Sequence, residues 1–329
     1  MNFLEHMKPA ARHSVYKEDG YYVWCGTMAK EGDTYCLLYS RWPRSTGMNG
    51  WVICSEVCLA TSDSPFGPFK FNRVMLTKED SDRWDRDCFH NPSLLPCNGK
   101  YYLYYMGNHG DGVEYWNHRN NQRVGVAWTD SLLTGTFTRL DTPAIDISEE
   151  GHDSLMTSNP AATVGRDGKI VMIYKAVSKY GVMPKGGDVV CGTAIADKPE
   201  GPFVKSKEPI MTNPENSWSV EDPFIWYSKQ DDKYYSIVKD FHGYFTGTNK
   251  SSVALFSSEN GLDNFKLEEN PLAFLREIHW EDGEVQQVRN LERPQIYFEN
   301  DKPVALCCAC AIDDEWSETF NVQIPLDFE

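Results

Sequence analysis

A chain of 329 residues is long enough to bury a core and holds either two ordinary domains or one large all-β unit. Its 48 Asp and Glu against 32 Lys and Arg give a formal charge of −16, which excludes DNA and RNA as expected partners, because phosphate recognition needs a basic surplus. No apolar run approaches the ~18 to 20 residues of a membrane-crossing helix, so no membrane partner is expected.

The chain opens with Met1-Asn2-Phe3-Leu4-Glu5-His6, which lacks a basic segment followed by an apolar one, so no secretory signal is expected. The ten cysteines, at 25, 36, 54, 58, 88, 97, 191, 307, 308 and 310, form no paired C-x-x-C pattern of the zinc type. They read as reduced core thiols, and the expected compartment is the cytoplasm, or the periplasm or exterior if a leader was trimmed. Aromatic residues make up 13% of the chain. Most of them suit packed sheet faces, and their flat rings also suit sugars.

In chain order, residues 21–28 and 34–39 read as two strands, and residues 57–60 as a third that ends at Ser64-Pro65-Phe66-Gly67-Pro68-Phe69. The same grammar then returns four times. Each copy opens on a polar pair and a proline: His90-Asn91-Pro92, Ser158-Asn159-Pro160, Glu221-Asp222-Pro223 and Glu292-Arg293-Pro294. Prolines at 92, 160, 223 and 294 fall 68, 63 and 71 residues apart. A polar turn such as Asn98-Gly99 or Asp167-Gly168 follows, then a second strand rich in Tyr, Val and Ile. Five units of roughly 65 residues with no long helical pattern predict an all-β fold, a single five-bladed β-propeller over residues 1–329. Its blades open near residues 22, 90, 158, 221 and 292. The last copy lacks an outer strand, and the N-terminal segment is expected to supply it.

In a propeller the first strand of each blade lines the central channel. Proline, which cannot donate into an inner ladder, marks the strand entrance. The pairs His90 and Asn91, Ser158 and Asn159, Glu221 and Asp222, and Glu292 and Arg293 are therefore expected at the channel mouth. Ends of the second strands bring Arg41 and Trp42, Asn108 to Asp111, Lys175, and Asp240 with His242 toward the same mouth. Acids, amides, bases and an aromatic wall together suit a sugar, whose hydroxyls need polar partners and whose ring needs a flat face. On a regular strand, adjacent residues point to opposite faces, so Glu221 and Asp222 both serve the site only if the backbone is irregular there.

Five blades with strand starts such as His90-Asn91-Pro92, Glu221-Asp222-Pro223 and Glu292-Arg293-Pro294 resemble the five-bladed propeller glycoside hydrolases of families 43, 32, 68 and 117. The resemblance implies cleavage of a glycosidic bond in an oligo- or polysaccharide, with a carbohydrate as the partner. It implies a general acid at Glu221, with Glu292 as second candidate. It also implies a base or nucleophile Asp on the first blade, where Trp24-Cys25-Gly26 stands instead, and a further Asp where this chain has the amides Asn91 and Asn159. Asp222 has the neighbours of such an Asp. The partner acid is then sought at Glu292, next at Asp240, with Asp85, Asp87 and Asp111 behind them.

Arg293, His90, His242, Asn91 and Asn159 are expected to hold hydroxyls, and Trp42 to stack on a ring. Lys175 and Arg41 complete the substrate contacts. No organic cofactor and no catalytic metal are implied, and the channel leaves room for a structural cation. Two alternatives stay open: a sugar-binding propeller without turnover, and a glycoside phosphorylase in which Arg41, Lys175, His242 and Arg293 hold phosphate.

Overall fold

The computed structural model describes residues 1–328. Five antiparallel four-stranded sheets follow one another along the chain. Blade 1 is built from Tyr21–Glu31, Thr34–Pro43, Glu56–Ser62 and Lys70–Leu76. Blades 2, 3 and 4 repeat the order from inner strands Cys88–Cys97, Met156–Val164 and Val220–Ser228. Blade 5 takes three strands, Asn290–Glu299, Lys302–Ala311 and Thr319–Pro325, from the end of the chain. Its fourth comes from the beginning: Val15–Tyr16 pairs with the outer edge, Val15 opposite Val322 and Tyr16 opposite Asn321. The ring is therefore closed by the two ends of the chain, as the missing outer strand predicts.

Hairpins inside the blades follow the turn chemistry of their sequences. Asn98 and Gly99 hold φ at 52° and 75°, and Asn300 and Asp301 at 52° and 64°, the left-handed pair that a tight two-residue hairpin requires. The inner and middle strands bury residues on both faces because blades pack face to face, whereas outer strands such as Lys70–Leu76 are largely exposed. Leu37, Tyr39 and Cys58 of blade 1 meet Tyr297, Ala305 and Cys307 of blade 5, while Leu38 and Leu59 meet Phe89, Leu103 and Tyr105 of blade 2. The ten cysteines are unpaired, and eight of them are buried. Each blade junction thus has its own apolar cluster, and no single core spans the molecule.

One irregularity repeats in all five inner strands. Cys25, Asn91, Asn159, Asp222 and Arg293 hold φ at 47°, 53°, 48°, 57° and 56°. The pairing register slips at the same five places, between Trp24 and Gly26, His90 and Ser93, Ser158 and Ala161, Glu221 and Phe224, and Glu292 and Gln295. A bulge adds an unpaired residue and re-aims its side chain. Proline follows in four blades, where the ladder has already been interrupted. Blade 1 has Gly26 instead, and a Cβ there would meet Asn321 Oδ1 at 2.9 Å and Leu37 Cδ1 at 3.0 Å. These bulges are the irregularity that the Glu221–Asp222 pair demanded.

Candidate active site

The bulged residues meet at the axis, one from each blade. Cys25 Sγ donates to Asn91 Oδ1 at 3.1 Å, and Asn91 Nδ2 to Asn159 Oδ1 at 2.5 Å. Asn159 Nδ2 donates to Asp222 Oδ1 at 2.7 Å, and Arg293 Nη1 reaches the same oxygen at 2.8 Å. Arg293 and Cys25, at the two ends of this series, lie near enough for each to shift the other's proton affinity. Four of these side chains, Asn91, Asn159, Asp222 and Arg293, line a pocket of about 590 Å³, a volume that suits a small ligand, while Cys25 is buried outside its lining. The guanidinium of Arg293 takes the cationic place beside Asp222. Among the described residues, no cluster of three or more His, Cys, Asp or Glu could hold a metal ion.

Residues just before the bulge stand one level above the ring. Glu221 accepts from Lys175 Nζ in a short ion pair and from Asn159 Nδ2 at 3.4 Å. Lys239 Nζ lies 3.8 Å from Glu221 Oε2 and 2.6 Å from Glu292 Oε2, which also accepts from Asn290 Nδ2 at 2.7 Å. His90 bonds through Nδ1 to Ser55 Oγ at 2.8 Å. Burial, with help from Arg293, lowers its proton affinity well below the usual range, so the imidazole is neutral.

The two adjacent carboxyls are tuned in opposite directions. Burial favours the neutral form of Glu221, but the charges of Lys175, Lys239 and Arg293 outweigh it and pull the group down to about 2. For Asp222, burial outweighs the pull of Arg293, and the neighbouring Glu221 and Glu292 add to it, so proton affinity is raised. Burial likewise pushes the Cys25 thiol up to about 12. At the axis blade 1 thus contributes a neutral, buried thiol.

The pocket brings together Glu221, Asp222, Glu292, His90, Asn91, Asn159, Lys175, Arg293 and Trp42 from the residues expected at the mouth. It does not bring in Arg41, Asp240 or His242. Arg41 pairs with Val23, one residue out of phase with the inward position, and binds Glu18 and Glu56. Asp240 is wholly buried, and its carboxylate accepts from the backbone N–H groups of Tyr244, Phe245 and Thr246. His242 lies exposed on the loop beyond that strand. Asp85 is held by Arg83, Arg139 and Tyr105, Asp87 accepts from Gly110 N, and Asp111 caps a turn at Val113 and Glu114. The phosphate set of the phosphorylase alternative fails to converge, since Arg41 and His242 are outside and Lys175 and Arg293 are committed to carboxylates.

Two expected roles change. Glu221 is held as a carboxylate by its cations, which does not fit a general acid. Trp42 is fully buried, stacked on Tyr22 at 5.3 Å with its N–H on Gly47 O, so its face is not free for a sugar. The open aromatic wall is made instead by Trp51, Tyr115, Trp116, Trp218 and Trp316. All but Trp218 lie on loops between second and third strands, where a single Trp in a polar loop gives little signal. Lys239 was missed although its signal was present. It lies opposite Glu221, as Lys175 lies opposite Ser158 in the preceding blade.

No protein-family model matches the chain, and no curated protein matches its sequence. Solved structures do resemble it. A family 117 glycoside hydrolase from the marine bacterium Zobellia galactanivorans superposes with a TM-score of 0.66 at 17% identity, covering 98% of this chain and 89% of the other. The endo-arabinase of Bacteroides thetaiotaomicron gives 0.61 at 13% identity, over 98% of each chain. The α-L-arabinanase of Cellvibrio cellulosa complexed with arabinohexaose gives 0.62 at 14%, over 94% and 93%. What the chain shares with these proteins, over nearly its whole length, is the five-bladed β-propeller fold.

Proposed function

We propose that the chain is a glycoside hydrolase cleaving an oligo- or polysaccharide in the central pocket, with Glu221 and Asp222 as its working carboxyls. The observation that carries this reading is the convergence of two consecutive carboxyls, turned by the bulge at Asp222 into one aromatic-walled pocket. Glycoside hydrolysis uses one carboxyl kept protonated and one ionised. Asp222 donates a proton from Oδ2, the oxygen left free by Asn159 and Arg293, to the departing sugar oxygen. Glu221 acts as the carboxylate facing the anomeric carbon, as base or nucleophile. Glu292, which shares Lys239 with Glu221, is the alternative carboxylate. The structural neighbours support the reading, since they include a family 117 glycoside hydrolase and an arabinanase that holds arabinohexaose.

The test is hydrolysis of nitrophenyl glycosides and natural oligosaccharides by wild type, Glu221→Gln and Asp222→Asn. Each substitution is expected to lower kcat/KM on oligosaccharides by about 10²- to 10⁴-fold. Asp222→Asn should spare nitrophenyl substrates, whose leaving group departs without a proton, whereas Glu221→Gln should lose both. Undiminished turnover in both variants removes the pair from the mechanism.

A second reading, a saccharide-binding propeller without turnover, is favoured by one observation. Blade 1 presents a neutral thiol where the resemblance places a carboxylate, and each carboxylate of the pocket is paired with a cation. Saccharide binding by wild type without hydrolysis across the panel decides for it.

A further inference from the structure

The pocket of this acidic chain is lined by more cations than anions. Its carboxyls are Glu221, Asp222 and Glu292, and each has its own partner in Lys175, Arg293 and Lys239. Arg289, at the rim, is paired with Asp314 at 2.6 Å. Arg119 and Lys185 remain. Among the described residues, no carboxylate lies within ion-pairing distance of either one, although both line the pocket.

Arg119 is the more telling of the two. It sits on the short helix Tyr115–Asn120 in blade 2 and is only 5% exposed. Its Nη1 donates to Lys185 O at 2.8 Å and to Asn120 Oδ1 at 2.9 Å. Its Nε and Nη2 have no protein acceptor among the described residues, and neither is sealed into the interior. Burial works against this charge, and the fold does not fully compensate for it. Asn120 Nδ2 donates to Pro184 O at 2.9 Å, so the helix is tied twice to the loop that carries Lys185. The Lys185 ammonium, on an exposed side chain, stands 5.2 Å above the ring of Trp218.

A buried guanidinium with free planar donors suits a carboxylate or an oxyanion, which it binds in two-point fashion. A lysine beside it adds a point charge, and the aromatic rings on either side hold a sugar ring. The chain's overall charge of −16 repels anions at long range, so two unpaired cations on one wall form a local exception.

We propose that Arg119 and Lys185 form a subsite for an anionic substituent on the saccharide, either a uronate carboxylate or a sulfate ester. This rests on the reading that the pocket holds a saccharide. The subsite recognises the substrate and takes no part in bond cleavage.

The experiment measures binding to the full chain by calorimetry and by quenching of the pocket tryptophans. The probes are oligogalacturonides, sulfated galacto-oligosaccharides, neutral arabino- and xylo-oligosaccharides, and inorganic phosphate. Proteins are wild type, Arg119→Gln and Lys185→Gln. Lys185 is exposed, so its variant folds even if the Arg119 variant does not. Wild type is expected to bind one anionic class more tightly than any neutral probe, with affinity falling as salt rises. Arg119→Gln should weaken that binding by about 10- to 100-fold, and Lys185→Gln by a few-fold.

Preference for uronate over sulfate, or the reverse, identifies which substituent the subsite takes. Tight neutral-sugar binding that both variants preserve overturns the subsite and leaves the saccharide pocket standing. Phosphate binding that depends on Arg119, without binding of anionic sugars, overturns it in favour of a free anion. If no saccharide of any class binds, both the subsite and the pocket reading fall.

Discussion

Glu221 and Asp222 are consecutive in sequence, yet both side chains enter one pocket, because Asp222 holds φ at 57° in a bulge that cancels the alternation of the strand. The arrangement places a carboxylate surrounded by ammonium groups directly against a carboxyl whose burial favours the proton. Three expectations follow from how these groups are held, and one from how the ring is closed.

Removing Lys175 should raise the proton affinity of Glu221. Its group lies near 2 in the fold, against an ordinary carboxylate value of 4.5. Ionisation of Glu221 therefore adds stability above pH 4.5 that is lost as pH falls toward 2. In Lys175→Met this loss should shrink, and the acidic limb of kcat/KM should move to higher pH. Lys175→Arg should keep the wild-type profile. Calorimetric Tm against pH, beside the pH–rate curve, measures both effects.

Lys239 is the shared counter-ion of Glu221 and Glu292. Lys239→Met leaves two carboxylates facing one another out of water, and a loss of about 3–5 kcal/mol is expected. Adding Glu292→Gln should recover part of that loss. Urea unfolding of both single variants and the double variant gives the coupling, and strict additivity would show that the three groups do not interact.

Closure by Val15–Tyr16 covers the edge Thr319–Pro325. A chain lacking residues 1–20 should expose that strand, unfold at lower temperature and self-associate, as uncovered edges do. A peptide of those twenty residues, added in trans, should raise the Tm of the truncated protein. Light scattering and thermal melts provide the readout.

Asn159 donates to both Asp222 and Glu221 through one nitrogen. Asn159→Asp replaces that donor with a third carboxyl, whose proton affinity in the fold should exceed its unfolded value. Its stability is then fully present at low pH and lost as pH rises. The stability gap from wild type, followed by urea unfolding, should widen from pH 4 to pH 8 and reach about 1–3 kcal/mol. A gap that narrows over this range contradicts the ring.

Most of the scaffold was legible in the sequence. Even spacing of the four X-X-Pro pairs, with the strands and turn of residues 21–69 as a further copy, revealed five blades, and the missing last strand pointed to closure by the N-terminal segment. What escaped was phase. Arg41 and Asp240 were placed at the mouth, but the inward residues are Ser40 and Lys239, opposite Trp24 and Glu221. A slip of one residue turns a strand over, and neither strand is polar enough on one face to fix it by pattern. Proton affinities were beyond reach too, since they depend on cations from other blades. Lys175 is 46 positions from Glu221, and Arg293 is 71 from Asp222. The aromatic wall lies on loops with no repeat to expose it.

The left-handed backbone at five equivalent places also decides which residues can stand at the axis. Asn and Asp adopt such φ values readily, while Cys25 and Arg293 hold them against a steric penalty of roughly 1–2 kcal/mol each. Asn and Asp differ by one terminal group and share this backbone preference. Charge on the floor of the pocket can therefore be redistributed by single Asn–Asp exchanges at positions 91, 159 and 222 without refolding the blades. The scaffold thus uncouples the evolution of its chemistry from that of its architecture, so a ring of different charge lies a few substitutions away.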